Sequence, residues 1–368
     1  MIDQLIATAS LGRWLGPWAG ERTPSGIARH EVHTPRTATR PSMRAYLFTP
    51  PTRARGTYLV LPGLHFLGPD DPRLDRFCRI VAAAGLVVVA PFIRSFTNLL
   101  IDATAFDDAE AALALARAES DARGLGDPAV FSISFGSRLA LHLATRPAPP
   151  RAIVLFGGYA EFVPTVRFAL TGRTHFDGEE LALERDPLNS PVVFLHLLEQ
   201  LAEEADRERL ASAWRSMVHR TWGKLELKRP GARDPIAHEI ASSLPSPLRE
   251  PFLRGCGLAP DFIPWAEAAF DRAHANLAFL DPREQIARVA CPTVLVHGRE
   301  DDVIPYVESV KLSRALPQHH LRGLFVTGLY GHTGAAGFSP AAIAREASSM
   351  VLMLSNLAGA PFMGERPR

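Results

Sequence analysis

The sequence is short of cysteine, of net charge and of long apolar runs, and each shortage excludes something. Three cysteines, Cys78, Cys256 and Cys291, stand far apart in 368 residues. They are too few and too scattered for a disulfide framework or a zinc site. A reduced setting, the cytoplasm, is therefore the expectation. Cys256 stands between Gly255 and Gly257 and reads as a loop residue. The formal net charge of +1 gives no electrostatic case for nucleic acid or an anionic membrane. No apolar run is long enough to span a bilayer, and the start, Met1-Ile-Asp-Gln, lacks the basic residues of a signal peptide. There is no P-loop and no G-x-G-x-x-G after a strand, so nucleotide dependence is unsupported. His30-Glu-Val-His33 is one residue short of the zinc-helix motif and falls in a non-helical setting, which dismisses it as a metal site.

What is present builds a core. Hydrophobic residues make up 47% of the chain, and the length suggests one large core plus an insertion. Ile2, Leu5, Ile6 and Ala9 fall at helical spacing, with Trp14 and Trp18 following. Without a Lys/Arg-rich polar face, this helix is expected to pack back on the protein rather than lie in a membrane interface. Residues 21–42 are rich in Pro, Thr, Arg and Gly and read as an irregular arm.

Strands and helices then alternate. Stretches 44–49, 57–61, 86–90, 129–133 and 151–156 read as strands, most of them apolar throughout, with helices between them. This pattern indicates the α/β class: a mostly parallel sheet covered by helices on both faces. From about 159 to 288 no strand is evident, far more chain than a βα connection needs. Stretches 191–217 and 264–278 read as helices, so the insertion is expected to be a mainly helical cap. Most of its aromatics, among them Phe162, Phe168, Phe194, Trp214, Trp222 and Trp265, are expected in the cap's own core. The sheet resumes at 292–297 and 321–326, with helices at 306–316 and 340–357. The expected units are an arm (1–43), a core (44–158 with 288–368) and a cap (159–287).

The chain is organised around Ala129-Val-Phe-Ser-Ile-Ser-Phe-Gly-Ser-Arg-Leu-Ala140. A short apolar strand turns directly into a helix of good formers. Such a corner has room only for small residues two before and two after its apex. Here these are Ser132 and Gly136, with Ser134 between them. The corner exposes the Ser134 hydroxyl and aims the first helical amides at whatever it attacks. The bland reading is an ordinary strand-to-helix turn with a capping serine. What decides is whether partners fall at other strand ends, where ligands bind in open parallel sheets. They do: Glu300, Asp301 and Asp302 follow the strand ending at His297, and His332 follows the last strand. A serine hydroxyl needs a base, a neutral imidazole suits that role, and a carboxylate fixes the imidazole's tautomer. His319 and His320 start the last strand, at the wrong end of the sheet. His297 reads as structural and His142 as packed in the core, while His65 reads equally as a donor to substrate or as a loop residue.

With these residues in the order Ser, Asp, His, the sequence resembles the α/β-hydrolase-fold serine hydrolases over about 44–158 and 288–357. Ser132-Ile-Ser134-Phe-Gly136 is similar to the family's nucleophile elbow, with Ser132 in place of the first glycine. Pro62-Gly63 stands where the family has the His-Gly of its oxyanion loop. Gly298-Arg-Glu-Asp301-Asp-Val-Ile-Pro305 resembles its acid loop, and Gly331-His332 its terminal Gly-His. The resemblance implies Ser134 as nucleophile, Asp301 rather than Asp302 as acid, and His332 as base, with the amides of Leu64 and Phe135 as oxyanion hole. It implies hydrolysis of an ester or related acyl bond through an acyl-enzyme, with no metal or organic cofactor. A small-molecule acyl substrate, mostly apolar, is expected from the cap's aromatics. Acyl transfer or thioester hydrolysis by the same residues, or a silent scaffold used for binding, are the alternatives. The cap resembles no family, and the oligomeric state is not legible.

Overall fold

The computed structural model describes residues 2–15, 19–38, 40–328, 330–331, 334–335 and 340–363. Eight strands form one sheet: β1 (Ala28–His33), β2 (Arg44–Thr49), β3 (Gly56–Leu61), β4 (Leu86–Pro91), β5 (Ala129–Ile133), β6 (Ile153–Phe156), β7 (Thr293–Gly298) and β8 (Leu321–Thr327). Their order across the sheet is β1-β2-β4-β3-β5-β6-β7-β8. The β1–β2 and β2–β4 pairs are antiparallel, and the other five pairs are parallel.

Period-two packing explains why most of these strands are apolar throughout. Leu59, Leu61, Val87, Val89, Val130, Ile153, Leu155 and Leu295 enter a core on one face. Their neighbours Tyr58, Val60, Val88, Phe131, Val154, Val294 and Val296 enter a core on the other. The first core runs on without a break into the residues inserted between β6 and β7, including Phe162, Phe194, Trp214 and Phe252. The second is closed by helices Ile2–Leu15, Pro72–Ala83 and Pro340–Gly359. Each large side chain fully buried this way contributes about 1.5–3 kcal/mol.

The strand β1 corrects the expectation of an irregular arm over 21–42. Its side chains are almost all exposed, so no apolar alternation marks it; pairing with β2, from Ala28↔Thr49 to His33↔Arg44, makes it a strand. His30 and His33 lie on this sheet edge, not on a helix. The N-terminal helix packs on the C-terminal helix, burying Ala7 and Leu11. Gln4 Nε2 donates to Ser355 O at 3.0 Å, and Arg76 donates to the carbonyls of Trp14 in the N-terminal helix's last turn and of Gly20 and Arg22 beyond its end. No helix among the described residues is long and apolar enough to cross a membrane.

The insertion is mainly helical, with Phe162–Thr171, Ser190–His196, Glu204–Thr221, Asp234–Ser243, Ser246–Gly255 and Phe262–Leu277 as its principal helices. It departs from expectation twice. Arg173–Phe176 and Glu179–Ala182 form a hairpin, turned at Asp177 and Gly178, both at positive φ as a tight two-residue turn requires. The stretch 191–217 is not one helix: it stops at His196 and restarts in earnest at Glu204. Both ends of the insertion are anchored. At its start, Glu308 Oε2 accepts from the amides of Ala160 and Glu161 at 3.0 Å. At its end, Arg138 on the helix after β5 donates to Phe279 O and Gln285 Oε1.

Candidate active site

Ser134 sits at the corner between β5 and the helix Gly136–Ala144. Its φ is +53°, a left-handed conformation that costs a non-glycine residue roughly 1–2 kcal/mol. The surroundings enforce it. The Ser134 amide donates to Phe156 O at 2.8 Å, carrying the β5–β6 ladder into the corner, while Ser134 O accepts from Ser137 N at 2.9 Å, the first hydrogen bond of the helical turn. Gly136 has no alternative. A Cβ there would stand 2.5 Å from Pro62 O and 3.2 Å from Leu61 O. The corner is therefore pressed against the end of β3, where Leu61 pairs with Ser132.

That contact brings the loop after β3 beside Ser134. A Cβ on Gly63 would lie 3.4 Å from both Ile133 O and Ser134 Cβ. Leu64, Ser134 and Phe135 all line one cavity, so the residues expected to supply the oxyanion-hole amides share a cavity with the serine. His65 follows them in this loop. Its Nδ1 accepts from Leu67 N at 3.2 Å, so the hydrogen-bond network puts the ring proton on Nε2, which faces Asp71 Oδ2 at 3.4 Å. Burial pushes the imidazole down to about 4, against the opposing pull of Asp71, so the ring is neutral at neutral pH. It stacks on Phe66 and on Trp222, with centroids at 4.6 and 5.5 Å, joining the loop to the insertion.

The loop expected to supply the acid follows β7. Asp301 is buried, and its Oδ1 accepts from Val303 N and Ile304 N, both at 2.9 Å. Beneath it, His297 is fully buried: Nδ1 accepts from Ser309 Oγ at 2.6 Å and Nε2 donates to Ile304 O at 2.9 Å. Nε2 also lies 3.4 Å from Asp301 Oδ2. His297 thus braces the loop, as its expected structural role requires. Asp302 faces elsewhere. Lys228 Nζ donates to Asp302 Oδ2 at 2.5 Å and lies 3.0 Å from Asp186 Oδ2, and Asp186 N donates to Asp302 O at 2.7 Å. Two segments of the insertion are clasped to the acid loop in this way.

His332 lies outside the described residues. The described residues on either side of it, Tyr330–Gly331 and Gly334–Ala335, pair as a short antiparallel ladder. His142, His319 and His320 are engaged elsewhere. His142 Nε2 meets Glu110 Oε1 at 2.8 Å, on the half-exposed side of the elbow helix rather than in the core. His319 and His320 lie before β8, against each other. The three cysteines are buried, and burial raises the pKa of each, Cys291 to about 12. Cys256 caps a helix in the core rather than standing in an open loop.

The cavity at Ser134 has a volume of about 920 Å³. One direction leads between the insertion's helices, and another leads toward Phe77, Trp14 and Met353 under the opposite face of the sheet. Its walls are mostly hydrocarbon, as a pocket for an apolar small molecule requires. Of the insertion's aromatics, Phe162 and Trp222 line it; Phe168, Phe194 and Trp214 are fully buried in the core. Lys228, Asp186 and Trp222 carry no recognisable motif in the sequence. Their place at the site arises from tertiary contacts.

No family model matches the chain, and no curated protein matches it. Solved structures do. Acylaminoacyl peptidase of Pyrococcus horikoshii is similar at a TM-score of 0.47 and 10% identity, over 93% of this chain and 43% of that one. The chain thus spans less than half the length of that peptidase. A thermostable carboxyl esterase of Bacillus coagulans is similar at a TM-score of 0.47 and 18% identity, over 91% of this chain and 99% of its own. Est1E of Butyrivibrio proteoclasticus is similar at a TM-score of 0.46 and 10% identity, over 90% and 98%. With its strand order, its antiparallel second strand and its strained corner after β5, the chain has the α/β-hydrolase fold.

Proposed function

We propose that the protein is a serine hydrolase that cleaves an ester or related acyl bond, with Ser134 as nucleophile, His332 as base and Asp301 as the acid that orients it. The observation that carries this reading is Ser134 itself: a left-handed serine at a strand–helix corner, pinned by Gly136 against Pro62, opening on a largely apolar cavity. An ordinary capping turn needs no such strain. Asp301 is supported over Asp302 by their surroundings. Backbone amides hold the Asp301 carboxylate, whereas the Asp302 carboxylate is engaged by Lys228.

The steps follow from these groups. His332 takes the Ser134 proton as Oγ attacks the acyl carbon and the carbonyl electrons move to oxygen. The amides of Leu64 and Phe135 hold that oxyanion. It collapses, the C–O bond to the leaving group breaks, and the imidazolium gives its proton to the departing oxygen. Water then repeats the sequence: His332 takes its proton, hydroxide adds to the acyl carbon, and Ser134 Oγ leaves and recovers the proton. Asp301 stays charged throughout. The inserted helices act as a cap over the acyl group. A thioester in place of the ester, or an alcohol in place of water, would pass through the same acyl-enzyme.

The test is hydrolysis of p-nitrophenyl butyrate by wild type, Ser134→Ala, Asp301→Asn and His332→Gln. The proposal expects a loss of kcat of about 10³-fold or more in each. Equal turnover by wild type and Ser134→Ala would exclude Ser134 as the nucleophile, and no turnover by either would leave only a binding scaffold. Addition of a primary alcohol, with the ester product measured, separates transfer from hydrolysis.

A further inference from the structure

We infer that the part of the cavity between helices Phe162–Thr171 and Ser190–His196 is an acyl-chain subsite for unbranched aliphatic esters, and that it rejects peptidyl acyl groups. The inference rests on the reading of Ser134 as nucleophile and narrows it to a substrate class.

The walls decide it. Phe162, Val166 and Ala169 face the cavity from one helix, and Val192 and Val193 from the other. All five are at most 7% exposed. Ala169 and the three valines are small, and it is their size that leaves the space open. Of the side chains that these two helices turn to the cavity, His196 is the polar one, and both its ring nitrogens are engaged. Its Nδ1 donates to Val192 O at 2.9 Å, and its Nε2 accepts from Ile101 N at 3.0 Å. Burial lowers its pKa, so the ring is neutral. The backbone groups inside the turns of the two helices are spent on their own hydrogen bonds.

A methylene entering this space leaves water at no polar cost. Its gain corresponds to about a fourfold increase in kcat/KM per CH₂. A peptidyl acyl group brings an N–H and a C=O for every residue. Buried here without partners, each would forfeit about a fivefold to 150-fold factor. The subsite therefore discriminates by chemistry rather than by length alone.

The experiment compares p-nitrophenyl esters from acetate to palmitate, each rate divided by its alkaline hydrolysis rate, with Ser134 labelling by a small fluorophosphonate run alongside. The inference expects kcat/KM to climb by about fourfold per methylene from acetate to an optimum among the medium chains. Pentanoate should exceed N-acetylglycine p-nitrophenyl ester, its near isostere carrying one amide, by at least tenfold. Ala169→Trp, and independently Val193→Phe, should lower the octanoate-to-acetate ratio by at least tenfold. A flat wild-type profile, parity between the amide-bearing ester and pentanoate, or an unmoved ratio in whichever variant folds would overturn it. If Ser134 takes the label and the profile is flat, the subsite fails and the nucleophile stands. A folded protein with no label and no turnover means that the nucleophile reading has failed, and the subsite with it.

Discussion

Replacing Gly136 by alanine probes the corner on which the site is built. The added methyl would stand 2.5 Å from Pro62 O and 3.2 Å from Leu61 O. Ordinary contact for a Cβ begins near 3.4 Å, so the corner and the end of β3 must separate by about 0.9 Å. Both are backbone, and β3 is held on either side by β4 and β5, so neither gives way cheaply. Overpacking of this kind costs roughly 1–3 kcal/mol. The φ of Gly136 is not in the left-handed region, so the cost is steric alone. The shift lands on Pro62, two residues before Leu64. A misplacement of about 1 Å at a group that holds the reacting atoms lowers turnover by about 100-fold. Urea unfolding at pH 7 reads the first number, and p-nitrophenyl butyrate hydrolysis the second. Gly63→Ala is the control: its Cβ meets Ile133 O and Ser134 Cβ at 3.4 Å, ordinary contact, and should cost well under 1 kcal/mol. Unfolding midpoints that are the same for Gly136→Ala, Gly63→Ala and wild type would refute the reasoning.

Three further outcomes follow from the same geometry. Ser134→Gly removes the strain at φ +53° and should raise stability by about 1 kcal/mol while abolishing turnover; a lowered melting temperature would contradict it. His65 is held neutral down to about pH 4 by burial, whereas an unfolded chain protonates it near 6.5. Between those values the unfolded state binds the extra proton, so stability is full above pH 6.5 and falls as the pH drops toward 4. The His65 share of that fall is on the order of 2 kcal/mol between pH 7 and 4.5, and His65→Gln should remove it in paired denaturation curves. Lys228→Met leaves Asp186 and Asp302 facing each other without their shared cation. Its loss should destabilise the protein by about 1–3 kcal/mol at low salt and increase proteolysis of the insertion, with Lys228→Arg restoring most of both.

Most of the sheet was legible because its strands are buried on both faces. Residues 58–61, 86–90 and 294–296 are apolar without interruption, the composition of a central parallel strand buried on both faces. The strand β1 was not legible, since an exposed edge strand carries no alternation and exists through its partner. The hairpin at 173–182 has its signal in Asp177-Gly178, but its strands are too short and polar to stand out as strands in the sequence. The elbow was legible because steric exclusion acts locally: Ser132, Ser134 and Gly136 are what the corner admits. The clasp of Lys228 across Asp186 and Asp302 was not, because it joins positions 42 and 74 residues from the lysine, and nothing in either stretch marks a partner. His196 shows the same limit. Whether an imidazole on a cavity wall is a ligand or a spent hydrogen-bonding group depends on Ile101, which is 95 residues away.

The most direct measurement is covalent labelling of wild type and Ser134→Ala with a fluorophosphonate, followed by peptide mapping. A phosphonate on Ser134, absent in the variant and slowed by His332→Gln, is the expected result, because the reagent reacts with a serine only where a base and an oxyanion hole are assembled. An unlabelled Ser134 in folded protein, also untouched by a small sulfonyl fluoride, would contradict the hydrolase reading and leave the fold a scaffold for binding.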